Sequence, residues 1–277
     1  MLKLPKKSPF LLGCRRGLAI LTLFLAGCAG DDSSGYKERP VEELYNGAMT
    51  AMENGDNLPA ALMFDEVERQ HPYSVWATKA QLMSAYAYYR QAKYDEAIIG
   101  LDRFIQLHPG HKDVAYAYYL KSLCYYEQIS DVGRDQKMTD FALKTMEELV
   151  TRFPESSYSR DAKLKIDLTR DHLAGKEMEI GRYYLNRKQP LAAVNRFRNV
   201  VENYQTTSHV PEALHRLTES YLALGVTSEA QASAAVLGFN FPGSKWYEDS
   251  YQLLAGANLA PQRDEKSWLD RVFGKRS

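Results

Sequence analysis

The chain has 277 residues, 45% of them hydrophobic, and its 35 lysine and arginine residues equal its 35 aspartate and glutamate residues. Five basic residues lie within segment 1–27; without it, 30 basic residues face 35 acidic ones, a net charge of about −5. This balance argues against a protein that binds nucleic acid through an overall positive field, and the length is ample for a buried core.

A basic segment followed by a short apolar run opens the chain. The run extends from Gly17 to Ala26, about ten residues. It is too short to span a bilayer of ~30 Å and has the length of a signal-peptide core. The run closes with the tetrapeptide at positions 25–28, Leu-Ala-Gly-Cys, which resembles a bacterial lipobox. An ordinary secretory signal with an incidental cysteine is the alternative.

The lipobox resemblance predicts a signal peptide over residues 1–27, lipidation of Cys28, and a polar tether over residues 28–40. Ala29, not aspartate, follows the cysteine, and by the same resemblance this implies sorting to the outer membrane. With Cys14 removed and Cys28 lipidated, only Cys124 remains, so the fold must be held by packing rather than by an internal disulfide. The apolar neighbours of Cys124 indicate a small core residue, not a nucleophile.

Apolar periodicity predicts helices along the rest of the chain. The first covers residues 41–54, and the second carries Pro59 in its first turn and ends near residue 70. Further helices are predicted over residues 76–90, 94–107, 113–129, 137–152, 160–187, 190–203, 211–224, 228–237 and 245–255. No convincing alternating pattern predicts a strand.

An alanine recurs at one register in the second helix of each predicted pair. It stands twelve residues before a position that ends the helix. That position is proline in four repeats and Gln205 in the fourth repeat of the chain. An aromatic or histidine residue immediately precedes each of these positions. The alanines are Ala60, Ala97, Ala142, Ala193 and Ala230, with spacings of 37, 45, 51 and 37 residues. Such repetition predicts an array of helical hairpins that works as a binding surface.

In three repeats a tyrosine stands nine residues before the alanine. In four repeats a larger apolar residue stands four residues after the alanine. The tyrosines are Tyr88, Tyr184 and Tyr221, and the larger residues are Phe64, Leu101, Met146 and Phe197. This pattern resembles the tetratricopeptide repeat over residues 41–255. The resemblance implies an all-α, right-handed solenoid of five helix-hairpin repeats followed by a C-terminal helix.

In tetratricopeptide arrays the first helix of each pair lines the concave face. Carried onto this sequence, that rule gives stripes with spacings of three and four residues, each on one helical face. Tyrosine combines large contact area with a hydroxyl that meets backbone groups of an extended peptide. The alternative is that these rings fill the core of the superhelix. The predicted client-binding residues are Tyr45, Met49, Leu82, Tyr86, Tyr89, Tyr116, Tyr119 and Tyr126.

The C-terminal half carries a basic cluster in the fourth repeat. Its arginines suit two-point pairing with carboxylates, which predicts docking of an acidic partner domain; a solvated helix face is the alternative. The predicted docking residues are Arg182, Arg187, Arg196 and Arg198. The tail, 259–277, is amphipathic around Trp268 and Phe273, and it suits a membrane, a partner helix or the last repeat of this chain.

Taken together, these features resemble the BamD family, the lipoproteins of the outer-membrane β-barrel assembly machine. The stretches that carry the resemblance are residues 86–89, 102–109 and 182–184 and the loop 130–136. The resemblance implies a lipid-anchored protein on the periplasmic face of the outer membrane. Its N-terminal half, 41–129, would receive unfolded outer-membrane proteins, and its C-terminal half, 130–258, would hold a BamA-like barrel subunit beside the other assembly lipoproteins.

The sequence gives little support for an enzyme or for a cofactor-binding protein. The sequence lacks the His-Glu-x-x-His, Gly-x-Ser-x-Gly and phosphate-loop patterns. His108 and His111 have the spacing of a metal pair, but no third ligand accompanies them. The sequence therefore predicts no enzyme, cofactor, metal or nucleic-acid partner. The alternatives are a similar lipoprotein scaffold for a pilus secretin or for peptidoglycan enzymes, and an enzyme of unknown type.

Overall fold

The computed structural model describes residues 38–274, and the chain from Pro40 onwards forms one compact unit. The predicted signal peptide, Cys28 and the tether up to residue 37 lie outside the described residues. The helices are α1 (Val41–Glu53), α2 (Asn57–Gln70), α3 (Val75–Arg90), α4 (Tyr94–Leu107), α5 (Val114–Tyr126), α6 (Lys137–Arg152), α7 (Ser157–Asn186), α8 (Pro190–Asn203), α9 (Val210–Ala223), α10 (Thr227–Asn240), α11 (Lys245–Gly256) and α12 (Trp268–Phe273).

The predicted helices are confirmed, with ends that differ by up to three residues. Helix α5 is shorter than predicted, α10 is longer, and α12 was not predicted as a helix. No strand occurs among residues 38–274. Within the same residues, no helix has both the length and the apolar composition that crossing a bilayer requires.

One turn geometry ends the second helix of every hairpin. The five residues that precede the predicted stops have φ between −136° and −128° and ψ between 43° and 57°. Each donates its N–H four residues back and accepts a hydrogen bond from the N–H three residues ahead. In three repeats the side chain of Ser74, Ser156 or Ser244 then caps the next helix. The register therefore reflects a repeated local structure.

The signature alanines lie where the two helices of a hairpin cross. All five are 0% exposed, as are the larger residues Phe64, Leu101, Met146 and Phe197. A methyl group adds little to the distance between two helix axes, and the larger side chain one turn later fills the space beside it. The hairpin packing predicted from the register is thus confirmed, and successive hairpins form a tetratricopeptide-like solenoid.

The first helices of successive hairpins contact one another in four of the five neighbouring pairs: α1 with α3, α3 with α5, α5 with α7, and α9 with α11. Each second helix instead packs mainly against the first helix of its own hairpin and that of the next. Because the first helices are the more closely spaced layer, they form the inner side of the curved array.

The C-terminal tail packs on the last repeats of this chain. Trp268 and Leu269 are 6% and 1% exposed and belong to the core formed by α7–α11. The Trp268 indole N–H donates to the Tyr221 hydroxyl at 3.2 Å, and the Arg198 guanidinium lies 4.6 Å from the Trp268 ring centroid. Of the three alternatives that the sequence left open, the structure selects the last repeat.

Cys124 is a core residue, as predicted. Its side chain is 0% exposed and packs among residues of α3, α4 and α5. Burial raises the pKa of the thiol to about 12, which keeps it protonated and unreactive at neutral pH.

Candidate functional site

A row of tyrosine side chains crosses three inner helices. We call it the tyrosine face; it comprises Tyr86 and Tyr89 on α3, Tyr116, Tyr119 and Tyr126 on α5, and Tyr158 on α7. The Tyr158 ring contacts the rings of Tyr116 and Tyr119, each with centroids 5.3 Å apart, and it stacks on Tyr119 at 27°. These ring contacts join α5 and α7 in one aromatic surface.

Two hydroxyls of the tyrosine face donate to carboxylates of neighbouring elements. Tyr119 donates to Asp161 Oδ2 at 2.5 Å, and Tyr89 donates to Glu127 Oε1 at 3.4 Å. Burial, followed by these carboxylates, raises the pKa of Tyr119 above its usual value and that of Tyr89 to about 12. Burial is also the main cause of the raised pKa of Tyr116. All three phenols stay neutral at physiological pH.

Cations lie beside the edge rings of the tyrosine face. The Arg90 guanidinium lies 5.9 Å from the Tyr86 ring centroid and donates to its hydroxyl at 3.2 Å, and Lys165 Nζ lies 5.5 Å from the Tyr126 ring centroid. All six rings of the face are partly exposed. Lys165 also pairs with Asp161 at 3.1 Å. The accessible surface is therefore aromatic, with the carboxylates of Asp161 and Glu127 beside its rings and the Arg90 guanidinium at its Tyr86 edge.

Three of the predicted client-binding residues lie away from this face. Tyr45 packs against Phe64 and Trp76, with ring centroids 5.4 and 4.8 Å away, and Met49 packs in the same cluster. Leu82 is only 8% exposed and packs in the core between α3, α4 and α5. The expectation that Leu82 offers contact surface is corrected, because α4 and α5 cover the side of α3 that carries it.

Residues of α7 extend the tyrosine face, and the sequence analysis missed them. Besides Tyr158, they are Leu164 and Leu168, which are 66% and 61% exposed. Leu164 follows Asp161 by three residues and Leu168 follows Lys165 by three, so both lie on the side of α7 that meets Tyr119 and Tyr126. Leu164 and Leu168 lie one helical turn apart, and this spacing could have predicted a shared face. They were missed because α7 is longer than the other first helices, so both residues lie outside the aligned positions of the repeat.

Three of the four predicted docking arginines form ion pairs within the fold, and partner docking at them stays a prediction. Arg182 Nη1 lies 3.0 and 3.1 Å from the two carboxylate oxygens of Glu212. Arg196 pairs with Glu177 at 3.2 Å, and Arg198 pairs with Glu202 at 2.8 Å. This surface is a mixture of paired charges, and each arginine side chain is about 40% exposed.

Arg187 differs from these three. It ends α7, lies 4.7 Å from the Tyr183 ring centroid, and has no carboxylate within ion-pair distance among residues 38–274. Its guanidinium is exposed and retains its hydrogen-bond donors.

The loop 130–136 is held by its own polar contacts. The Gln136 side-chain amide donates to the carbonyls of Asp131 and Arg134, both at 3.1 Å, and Lys176 Nζ donates to the Gly133 carbonyl at 3.1 Å. The loop is thus tied to α7.

The two histidines spaced like a metal pair pack on a core ring instead. The rings of His108 and His111 lie 5.3 and 5.4 Å from the Phe104 ring centroid. In the described part of the chain, no group of three or more His, Cys, Asp or Glu side chains is arranged to hold a metal ion.

Comparison with known proteins places this architecture in a family. The family model "YfiO: Outer membrane lipoprotein" matches residues 37–237. The outer membrane protein assembly factor BamD of Caulobacter vibrioides is 48% identical over 260 residues, which cover 91% of this chain and 85% of that protein. BamD of Rickettsia prowazekii is 46% identical over 237 residues, 86% of this chain and 94% of that protein. The chain therefore belongs to the BamD family of outer-membrane protein assembly factors.

Proposed function

We propose that this protein is a non-enzymatic, lipid-anchored adaptor that works in outer-membrane protein assembly. Cys28 would carry the anchor at the periplasmic face of the outer membrane. Half 41–129, extended by the first turns of α7, would receive unfolded outer-membrane proteins. Half 130–258 would hold the barrel-forming, BamA-like subunit beside other lipoproteins of the machine. Membership in a family of assembly factors supports this role.

The observation that carries client binding is the tyrosine face. The hydroxyls of Tyr119 and Tyr89 are engaged with carboxylates, so at these two positions the rings rather than new hydroxyl bonds supply the binding surface. A strand-forming segment of a client alternates apolar and polar side chains, and its apolar side would lie on the rings and on Leu164 and Leu168. The Arg90 guanidinium at the Tyr86 edge would attract an acidic group or a terminal carboxylate of the client.

Cross-linking tests this assignment. A photo-reactive residue at position 86 or 168 should capture unfolded outer-membrane protein precursors in cells. The same residue at position 73 is the control, because Tyr73 is 102% exposed and lies on the turn before α3. Equal capture at all three positions, or capture only at position 73, would refute client binding at the tyrosine face.

Docking of the barrel subunit is supported chiefly by Arg187. A partner carboxylate approaching Arg182 or Arg196 would compete with Glu212 or Glu177, whereas Arg187 offers free donors. We therefore expect Arg187→Glu to reduce co-purification of the barrel subunit at moderate salt by several-fold. Arg160→Glu is the control, because Arg160 is exposed at the opposite end of α7. Unchanged co-purification of Arg187→Glu would refute docking at this residue.

A further inference from the structure

A cavity lies on the side of α3 that faces away from the tyrosine face. We call it the back groove; it is open to solvent, has a volume of about 640 Å³, and lies between α2 and α4 with α3 as its floor. The floor residues are Gln81, Ser84, Ala85 and Tyr88. At 100° per residue they lie about 120° around α3 from Tyr86 and Tyr89, so the back groove is separate from the tyrosine face.

The floor contains a buried amide without a partner. Gln81 is 3% exposed, and its Nε2 atom has no hydrogen-bond partner among residues 38–274. Burying an unsatisfied N–H donor costs free energy, and native proteins rarely keep one without a reason. The Nε2 atom has almost no accessible surface, so an acceptor supplied from outside, such as a main-chain carbonyl, reaches it when the Gln81 side chain turns towards the groove.

The same groove contains a carboxylate without a cation. Asp65 accepts hydrogen bonds from Ser84 Oγ at 2.5 Å and from the Tyr88 hydroxyl at 2.9 Å. No lysine, arginine or histidine lies within ion-pair distance of it in the described part of the chain. Two hydroxyl bonds leave acceptor capacity on its oxygens.

The other charged residues that line the back groove already have partners. Arg103 pairs with Glu68 at 2.5 Å, Glu96 pairs with Lys93 at 3.2 Å, and Arg69 pairs with Glu66. Among the charged residues that line the back groove, Asp65 is therefore the one without an ion-pair partner within residues 38–274. It lies in the same groove as the unpartnered Gln81 amide.

We propose that the back groove binds an extended peptide segment that carries a lysine or arginine. Its cation pairs with the Asp65 carboxylate, and Gln81 turns so that Nε2 donates to a main-chain carbonyl of the peptide. The apolar lining, which includes Ala85, Ile99 and Pro72, packs against the aliphatic stem of the basic side chain. A peptide supplies this acceptor and this cation on one backbone, and the open groove admits a chain that continues at both ends.

A positional-scanning library of N-acetylated, C-amidated hexapeptides tests the proposal on the full mature protein in detergent. Peptides with lysine or arginine fixed at one position should bind about tenfold more tightly than those with norleucine, which has a similar stem without the charge. Asp65→Asn should abolish that preference. Glu43→Gln is the matched control, because it removes one exposed carboxylate of α1 and should leave the preference intact.

Gln81→Met provides a second test that does not depend on the stability of the Asp65 variant. It removes no hydrogen bond of the folded protein, so its thermal midpoint should equal or exceed that of the wild type. It should weaken binding of the best lysine peptide by about three- to tenfold, the range of one hydrogen bond. No preference for a cation, an equal loss of preference in Glu43→Gln, or undiminished binding by Gln81→Met would each overturn the proposal.

Discussion

Replacing Gly181 by alanine tests how closely α7 and α8 must approach. Gly181 is buried in α7, and a Cβ atom built on it would lie 2.4 Å from Cε1, 2.7 Å from Cζ and 2.8 Å from Cδ1 of Phe197. Phe197 is 0% exposed in the C-terminal core, so the ring has no open side to which it can move. The added methyl group must therefore displace a packed ring or separate the two helices.

The expected magnitude follows from two opposing effects. Alanine in place of glycine in a helix interior is favourable by about 1 kcal/mol. Overpacking a core costs about 1–3 kcal/mol and occasionally more, and three ring atoms within 3.0 Å place this site at the upper end. We expect Gly181→Ala to lose about 2 kcal/mol of unfolding free energy, which lowers the thermal midpoint by roughly 4–8 °C for a chain of this length.

Gly100→Ala is the matched control. Gly100 also lies inside a helix, α4, but a Cβ there would meet the nearest atom, Ala85 Cβ, at an ordinary 3.6 Å. It should therefore gain up to about 1 kcal/mol. Urea unfolding followed by circular dichroism at 222 nm compares the two midpoints at equal slope. A Gly181→Ala protein as stable as the wild type, or a Gly100→Ala protein that loses as much, would refute the packing argument.

Two further predictions concern single side chains. Trp268→Ala should cost about 3–5 kcal/mol of unfolding free energy, because the indole is 6% exposed, donates to Tyr221 and packs under Arg198; Arg271→Ala, an exposed change in the same helix, is the control in thermal melts. Tyr89 should titrate near pH 12, since burial and Glu127 raise its pKa. A raised folded-state pKa stabilises the protein below the unfolded value of about 10, and this contribution is lost as the pH rises towards 12. The absorbance titration at 295 nm of the wild type minus Tyr89→Phe should show that late midpoint, and a midpoint near 10 would contradict it.

The tyrosine face illustrates how far a repeat register predicts a surface. Tyr116 and Tyr119 follow directly from the spacing of residues on the first helix of a hairpin, and the structure brings their rings together with Tyr158. The same rule wrongly placed Leu82 on the surface, because a first helix contacts helices on several sides and the register does not say how much of it α4 and α5 cover. Tyr45 also departs from the row, because Phe64 and Trp76 surround it.

Charge pairing was the property least visible in the sequence. Arg182 and Glu212 lie 30 residues apart, and Arg196 and Glu177 lie 19 apart, on different helices in both cases. A cluster of arginines in sequence therefore becomes a set of ion pairs once neighbouring helices supply carboxylates. The unpartnered Gln81 amide and the Asp65 carboxylate likewise emerge only from the packing of α2, α3 and α4.

The sequence by itself determined the helices, the hairpin register and the buried alanines, because helix periodicity and the turn at each stop depend on residues within a few positions of one another. Only the tertiary structure decided which tyrosines share a surface, which arginines remain free, and where the tail packs. Those properties depend on side chains that are distant in the chain and meet only when the hairpins stack.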